Sequence, residues 1–335
     1  MATDNKSRLV WWNGALIPES EAKLSIYDSA LMFGDMVFEM TRSFNKKQFK
    51  LQEHLQRLYA SAKFLEIPLE MSIEEMEKRC LETIEANEHL FKSDDEHRLM
   101  IDISRGLLGI YQGTVGGHVG INVIIADFPL RWTTRGMGRL FDEGVDAVIP
   151  AQCAIPASLL EPKVKNRSRI HYLMANIQVS RYDGKDAWAL LLDPDGFVAE
   201  GSGDNFFIVK DGVLISPEGR NILRGISRDY IMKELCPQLN IPCQEKNIEL
   251  QVAALLEDIY AWQIDFFRIQ PTDSFKVIYE QILVDGEPVG VGKIHAANFF
   301  SNNENHFAFY FDKEKGESYF DEKGNSLKRL FLKAP

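Results

Sequence analysis

The sequence predicts an α+β fold organised in two domains, and three observations support this prediction. The chain has 335 residues, which is about the length of two domains of average size. Residues 8–52 contain short, partly alternating apolar stretches separated by turn residues, a pattern typical of β-strands. Residues 52–84 follow a helical spacing of apolar side chains, and strand-like runs return at 97–104 and 120–128.

The turns and helices of the first stretch have clear local sequence features. Asn13-Gly14 and residues 45–47 are turn sequences between apolar runs. The first predicted helix ends at Pro68. Its apolar face consists of Leu55, Leu58, Ala62 and Leu65. The second helix begins with a capping box from Ser72 to Glu75, so we expect two amphipathic helices beside the strands.

Changes in composition predict where the domains begin and end. We expect a small α+β domain at 1–130, a polar interdomain linker at 131–139 and a larger domain at 140–250. The larger domain contains turn sequences at Asp193–Gly196 and Lys210–Gly212, each between two apolar runs. These turns predict strands and hairpins in the larger domain.

The last part of the chain differs in composition from the rest. Residues 251–335 contain ten of the 21 phenylalanines, and strand-like runs alternate there with Asp-Gly and Lys-Gly turns. This pattern predicts an appended small β-rich module.

Composition excludes several classes of function. The net charge is −11, which disfavours a generic surface for nucleic acid or for an acidic membrane. No secretory signal is visible, and no apolar run approaches the ~18 residues of a spanning helix, so we expect a cytoplasmic protein. The four cysteines are expected to be free thiols, because their spacing suits no metal or redox motif. They are Cys80, Cys153, Cys236 and Cys243.

Three runs of residues carry the functional information. They are EPKVKNRSRIHY at 161–172, DGFVAEGSGDNFFIVKDGVLISP at 195–217 and LRGISRDYIMKEL at 223–235. Together they resemble the signature of class IV aminotransferases, the pyridoxal-phosphate enzymes of branched-chain and D-amino-acid transamination and of aminodeoxychorismate lyase. The resemblance covers about residues 1–250. It implies a two-domain fold-type-IV architecture, truncated at its C-terminal end, and a homodimer that uses pyridoxal 5'-phosphate, an amino acid and a 2-oxo acid.

The resemblance assigns the groups that would act on the cofactor ring. Lys165 matches the Schiff-base lysine, although a lysine in a basic run is usually a solvated charge, and Lys163 is its competitor on the same strand. Glu200 matches the carboxylate that keeps the pyridine nitrogen protonated; the alternative is a strand-end charge in solvent. Leu223 matches the residue that packs on the ring face, and Arg169 is a weak candidate for the phenolate oxygen.

The phosphate of the cofactor has its own candidate residues. Gly225, Ile226 and Ser227 open a predicted helix, and Ser227 can cap it. The free N–H groups and dipole at such a helix start favour an anion. Arg57 matches the family arginine that pairs with the phosphate, although it lies off the apolar stripe of its helix and a solvated arginine is the alternative.

The resemblance also indicates substrate residues. Phe38 and Arg42 lie in the run FGDMVFEMTRSF at 33–44, which matches the opening motif of the family, and they favour a branched-chain-like pocket. Gly203 lies in the run of small residues after Glu200. Arg98 and Arg105 could bind carboxylates, but arginines on strands this near a surface are usually structural.

The family pattern stops being legible after Leu250. Residues 251–335 resemble the non-catalytic region of lysostaphin-type zinc metallopeptidases, and their only histidines, His295 and His306, lack metal-ligand spacing, so we expect no metal. The sequence therefore predicts a PLP-dependent aminotransferase that favours a branched-chain-like substrate. The alternatives are an aminodeoxychorismate-lyase-like enzyme and a catalytically impaired fusion that acts as a non-enzymatic binding or scaffold protein.

Overall fold

The structure of the chain, a computed structural model, describes most residues between 7 and 249, and beyond them it describes the backbone of individual strands. The described residues are 7–134, 137, 140, 145–182, 186–210 and 212–249. Between 259 and 318 only the backbone of individual strands is described. The chain divides into two units, which are residues 1–133 with 164–169, and residues 134–163 with 170–335.

The first unit is built on one six-stranded sheet. Its strands are β1 (Leu9–Trp12), β2 (Ala15–Pro18), β3 (Met36–Phe44), β4 (Lys47–Gln48), β5 (His97–Ser104) and β6 (Asn122–Pro129). They run antiparallel in the order β2-β1-β6-β5-β3-β4. Left-handed backbone at Asn13-Gly14 and at Asn45-Lys46 makes the tight turns into β2 and β4, at the positions that the sequence predicts.

Two helices, α2 (Leu51–Phe64) and α3 (Ile73–Asn87), pack against this sheet. Two shorter helices, α1 (Ser29–Phe33) and α4 (Arg131–Thr134), lie elsewhere along the chain. Helices α2 and α3 follow the predicted apolar spacing, and Leu55, Leu58 and Met76 are fully buried in the core against β3 and β5. Ser72 caps α3 as predicted, because its hydroxyl accepts a hydrogen bond from the backbone N–H of Glu75.

Residues 164–169 belong to the first unit, although the sequence analysis placed them in the 140–250 domain. The N–H of Phe38 donates to the carbonyl of Lys165 at 3.0 Å, and the N–H of Arg167 donates to the carbonyl of Met36 at 2.8 Å. The segment therefore runs antiparallel beside β3. Sequence distance hides this pairing, because the two partners lie more than 120 positions apart.

The second unit contains a nine-stranded sheet. Its strands are β7 (Asp146–Ile149), β8 (Ala187–Leu192), β9 (Val198–Gly201), β10 (Asn205–Lys210), β11 (Val213–Ser216), β12 (Cys243–Glu245), β13 (Ile259–Trp262), β14 (Ile278–Val284) and β15 (Glu287–Ala296). The order is β12-β11-β10-β13-β15-β14-β7-β8-β9. Strand β9 also pairs with β10 through Glu200 and Asn205, so this pairing brings the two ends of the EGxxxN run together.

Three strands of the predicted C-terminal module lie inside this sheet. Strands β13, β15 and β14 stand between β10 and β7. The remaining strands form two separate hairpins, β16 (Asn298–Ser301) with β17 (Phe307–Tyr310) and β18 (Asp312–Lys313) with β19 (Glu317–Ser318). The module boundary expected at residue 250 therefore does not coincide with a boundary of the sheet. Strands β10 and β7 each have an edge that needs a backbone partner. Strand β13 pairs with β10, and strand β14 pairs with β7.

The helices of the second unit are short. They are α5 (Ile170–Val179), α6 (Ile226–Tyr230) and α7 (Cys236–Gln238), with a π-helical turn at Ile231–Leu235. The predicted cap at Ser227 is wrong, because Gly225 has the extended backbone of the N-cap and Ser227 already lies inside α6. Among the described residues, no helix combines the length and apolar character needed to cross a membrane.

A glycine after β5 gives a direct test of this fold. Gly106 has a φ of +86°, and a Cβ atom added there would lie 1.8 Å from the carbonyl oxygen of Gly120. We expect Gly106→Ala to lower the free energy of unfolding by at least ~2 kcal/mol, through backbone strain and overpacking. Gly116→Ala is the matched control, since a Cβ atom there meets nothing within 4 Å. Urea unfolding measures both, and equal midpoints would contradict the strained geometry.

Candidate active site

One aromatic ring in the first unit gathers three basic side chains. The Nζ atom of Lys165 lies 4.5 Å from the centre of the Phe38 ring, and the Cζ atoms of Arg167 and Arg169 lie 3.7 Å and 5.5 Å from it. Lys165 and Arg167 flank Asn166, which pairs with Val37 of β3, and Arg169 follows after a bend in the chain. The structure thus brings together Phe38, Lys165 and Arg169, which the sequence analysis singled out, and adds Arg167, which it missed.

Lys163 has a local partner of its own. Its ammonium group lies 2.8 Å from a carboxylate oxygen of Glu161. Burial raises the pKa of Glu161, but the hydrogen bonds from Lys163 outweigh that effect and leave the pKa lowered. The charge of Lys163 is therefore used in an ion pair, which favours Lys165 as the lysine of the site.

Arg167 is fixed by a carboxylate on β5. Its Nε atom donates to Oδ1 of Asp102 at 2.8 Å, and its Nη2 atom lies 2.7 Å from the same oxygen. Burial raises the pKa of Asp102, and Arg167 opposes that rise. The signal that could have identified Arg167 is its spacing, two residues after Lys165 on an extended segment.

The opposite face of β3 carries a buried charged group. Glu39 is fully buried; its carboxylate accepts hydrogen bonds from Arg57 at 2.5 Å (Nε) and 2.9 Å (Nη2), and Nδ1 of His54 lies 2.7 Å away. Burial alone would raise the pKa of Glu39, but the charges and hydrogen bonds of Arg57 and His54 hold it well below its usual range. Arg57 is thus oriented by a buried carboxylate, and only 12% of its side chain is exposed.

The other arginines predicted in this unit have different surroundings. Arg42 is buried, with its guanidinium over the ring of Phe44 and its Nε donating to the carbonyl of Ser43. That placement argues against direct contact with a substrate. Arg98 lies against the sulfur of Met40.

Arg105 makes contacts typical of a structural arginine. Its Nε atom pairs with Asp35 at 2.6 Å, and its Nη1 and Nη2 atoms donate to the carbonyls of Glu66 and Leu65. These contacts support the structural interpretation of Arg105 rather than a role in carboxylate binding.

In the second unit, Glu200 is a buried carboxylate that accepts hydrogen bonds from side-chain and backbone donors. Its Oε1 atom accepts from the hydroxyl of Tyr172 at 2.7 Å. Its Oε2 atom accepts from Nδ2 of Asn205 and from the backbone N–H of Leu223, both at 3.0 Å. Only 4% of Glu200 is exposed, so it is not the solvated strand-end charge that the sequence left open. Sequence reasoning missed the roles of Tyr172 and Asn205, because only the folded chain shows which donors face the carboxylate.

The start of α6 packs closely against the same group. A Cβ atom on Gly225 would lie 2.1 Å from Oδ1 of Asn205, so a larger residue there would displace the Asn205 amide. The amide of Asn205 also donates to the carbonyl of Leu223 at 2.9 Å. Ile226 and Ser227 follow in the first turn, where backbone N–H groups have no carbonyl partner within the helix. The arrangement places potential anion donors next to the segment that holds Glu200.

Two further residues shape this region. Arg228 is fully buried, and it donates from Nε to the hydroxyl of Ser216 and from Nη2 to the carbonyl of Pro217, which fixes α6 to the end of β11. Gly203 lies exposed in the tight turn between β9 and β10. Among the described residues, no group of three or more histidines, cysteines or carboxylates is placed to hold a metal ion.

The buried Glu39 carboxylate predicts a pH-dependent stability. A carboxyl group whose folded pKa lies below its ordinary value of 4.5 stabilises the fold above that pH, and the stabilisation is lost as the pH falls further. We expect Glu39→Gln to cost ~3–5 kcal/mol at pH 7, because it leaves Arg57 without its buried partner. The difference in the free energy of unfolding between this variant and the parent should narrow below about pH 4.5. Urea unfolding at a series of pH values measures it.

The control for this prediction is Glu75→Gln. Glu75 pairs with Arg79 on the partly exposed surface of α3, so its loss should cost under ~1 kcal/mol at any pH. A Glu39→Gln variant that behaves like this control would show that the buried pair contributes little.

A family model for class IV aminotransferases ("Amino-transferase class IV") matches residues 36–261. The putative branched-chain-amino-acid aminotransferase of Methanocaldococcus jannaschii is 37% identical over 67% of this chain and 73% of its own length. The branched-chain-amino-acid aminotransferase of Escherichia coli (strain K12) is 30% identical over 77% of this chain and 82% of its own.

Solved structures agree with these relatives. A branched-chain amino acid aminotransferase from Escherichia coli superposes with a TM-score of 0.62 at 26% identity, covering 87% of this chain and 86% of that one. A T.th. branched-chain amino acid aminotransferase, complexed with N-(5'-phosphopyridoxyl)-L-glutamate, gives a TM-score of 0.65 at 24% identity, with 98% and 93% covered. The fold expected from the sequence is confirmed, and this chain belongs to the class IV aminotransferases.

Proposed function

We propose that this protein is a pyridoxal-phosphate-dependent aminotransferase that transfers the amino group of a branched-chain amino acid to a 2-oxo acid. The observation that carries the proposal is the buried Glu200 carboxylate, held as an acceptor by Tyr172, Asn205 and Leu223. A carboxylate in such a position suits a protonated pyridine nitrogen. The branched-chain preference is supported by the relatives, which are named as branched-chain-amino-acid aminotransferases.

The residues present fit the cofactor in each unit taken by itself. Glu200 would face the ring nitrogen, because a buried carboxylate supplies the negative charge that a protonated pyridine nitrogen needs. Leu223 would pack on the ring, and the first turn of α6 with its glycine N-cap suits a phosphate. In the first unit, Lys165 supplies the amine, while Arg57 and Arg169 supply cations for the phosphate and the phenolate oxygen.

Each residue then has a defined task. Pyridoxal phosphate, when bound, supplies an aldehyde carbon for amino-group exchange and an electron-withdrawing ring. Lys165 would hold the cofactor through its amine and would move a proton to or from the substrate carbon. Glu200 keeps the proton on the ring nitrogen, because a buried carboxylate favours the neighbouring charge. Phe38 and Gly203 are proposed to border the substrate.

A homodimer is part of the proposal. Helix α5 exposes an apolar stripe at helical spacing, formed by Ile170, Leu173, Met174 and Ile177. Exposed apolar stripes of this kind mark contact surfaces, and a second copy of the chain would cover this one. We also propose a cytoplasmic location, which the free cysteines among the described residues support.

Covalent labelling tests Lys165. Borohydride reduction of the protein with pyridoxal phosphate, followed by peptide mapping, should place the cofactor label on Lys165. Lys165→Ala should abolish the label, and Lys163→Ala should keep it, because Lys163 is held by Glu161. A label on any other lysine would refute the assignment, and a protein that takes no label would favour the scaffold alternative.

Single-turnover kinetics test Glu200. Glu200→Gln should retain the cofactor but slow the half-reaction with L-amino acids by roughly 10²-fold, the usual effect of losing one preorganised electrostatic interaction. Glu161→Gln is the matched control, since it makes the same change in a carboxylate that pairs with Lys163 instead. Equal half-reaction rates in the two variants would show that Glu200 has only a structural role.

A further inference from the structure

We propose that Arg167 binds the carboxylate of the amino acid substrate, an inference that rests on the proposed function. It makes Arg167 the residue that selects α-amino acids over simple amines. The resemblance assigns no role to this residue, and the proposal comes from its contacts in the first unit.

Arg167 and Lys165 share one aromatic platform. The guanidinium carbon lies 3.7 Å from the centre of the Phe38 ring, and the ammonium nitrogen of Lys165 lies 4.5 Å from the same point. The two cationic groups are therefore no farther apart than those two distances together. In an α-amino acid the nitrogen and the carboxylate carbon are separated by two bonds, roughly 2.5 Å. With charge-assisted N–H···O distances of ~2.7–2.9 Å, a single amino acid can span from the amine of Lys165 to the guanidinium.

One edge of the Arg167 guanidinium is held by hydrogen bonds, which orients the group. Its Nε and Nη2 atoms both bind Oδ1 of Asp102, and Nη2 also lies 3.4 Å from the sulfur of Met100. A guanidinium carries five N–H donors, and these contacts engage the Nε–Nη2 edge. Within the part of the chain that the structure describes, Nη1 has no hydrogen-bond partner, and 32% of the side chain is exposed. Donors therefore remain for an incoming anion.

The surroundings make Arg167 a preorganised anion site. Phe38 stacks on one face of the guanidinium, and Asp102, which is itself 9% exposed at its side chain, fixes the rotation. A guanidinium held by a carboxylate and an aromatic ring loses little further freedom when it binds a planar carboxylate. Asp102 engages the Nε–Nη2 edge, so the N–H donors of Nη1 are left for another carboxylate.

Arg169 lies on the same ring but suits this task less well. Its guanidinium carbon is 5.5 Å from the ring centre, compared with 3.7 Å for Arg167. Arg98 approaches Met40 on the neighbouring part of β3. Of the arginines on this side of the sheet, Arg167 is the one stacked most closely on the ring that also meets Lys165.

Paired substrates test the proposal on the full-length holoenzyme. Leucine and 3-methylbutylamine have the same side chain, and only leucine has a carboxylate. In Arg167→Leu, kcat/KM for leucine should fall about 10–100-fold, the effect of losing one charged hydrogen-bond donor, while the value for the amine stays within about two-fold. Arg167→Lys keeps the charge and the fold, so its kcat/KM for leucine should lie between the values of the parent and of Arg167→Leu. Arg79→Leu, on the surface of α3, is the control and should match the parent.

A binding measurement gives a second readout. Calorimetric titration with 4-methylpentanoate, which has the carboxylate but no amine, should show a Kd at least ~10-fold weaker in Arg167→Leu than in the parent. An unchanged Kd, or equal losses for leucine and for the amine, would overturn the role of Arg167 while the parent still transaminates. A parent protein that takes up cofactor but transfers no amino group would overturn the proposed function and this inference together.

Discussion

The hydrogen bonds between β3 and the segment around Asn166 are the constraint on which the basic cluster at Phe38 depends. They hold Lys165 and Arg167 at fixed positions against the Phe38 ring. A shift of one residue would move both side chains away from that ring, because adjacent residues beside a strand point to opposite faces. Two backbone contacts therefore determine which basic groups meet Phe38.

The two faces of β3 contact different groups. Phe38 points towards the basic cluster, and the next residue, Glu39, meets Arg57 and His54 in the helix-covered interior. Because β3 is held by β5 and by the helices, both sets of contacts are rigid. Neighbouring residues on one strand thus face two separate sets of charged groups, the basic cluster at Phe38 and the Glu39–Arg57–His54 group.

The sequence indicated several residues of the candidate site in the second unit, and it did so through contiguous motifs. Glu200, Leu223 and Gly225 lie in short runs that resemble the class IV signature, so no knowledge of tertiary contacts was needed to select them. Tyr172 and Asp102 could not be identified in this way, because the partner of a buried polar group is chosen by tertiary contact. Their partners lie 28 and 65 positions away. Ser227 failed as a cap for a similar reason, since the N-cap is decided by the backbone angles that Gly225 adopts.

The C-terminal segment shows where local sequence patterns stop being sufficient. Its strand-like pattern was legible, but the edges that would accept those strands belong to residues far upstream. The class IV match also continues to residue 261, beyond the position where the pattern stopped being legible. The resemblance of residues 251–335 to lysostaphin-type peptidases stays a prediction, and so does a separate module there.

The three basic side chains around Phe38 also bear on the stability of the fold. Like charges at this separation repel one another, and the carboxylate of Asp102 pairs with the guanidinium of Arg167. An anion that binds the folded cluster more tightly than the unfolded chain stabilises the native state, because linkage ties the folding equilibrium to the ligand that the native state prefers. Such an anion would raise the free energy of unfolding with the logarithm of its concentration, so the stability of the protein would report on the occupancy of the cluster.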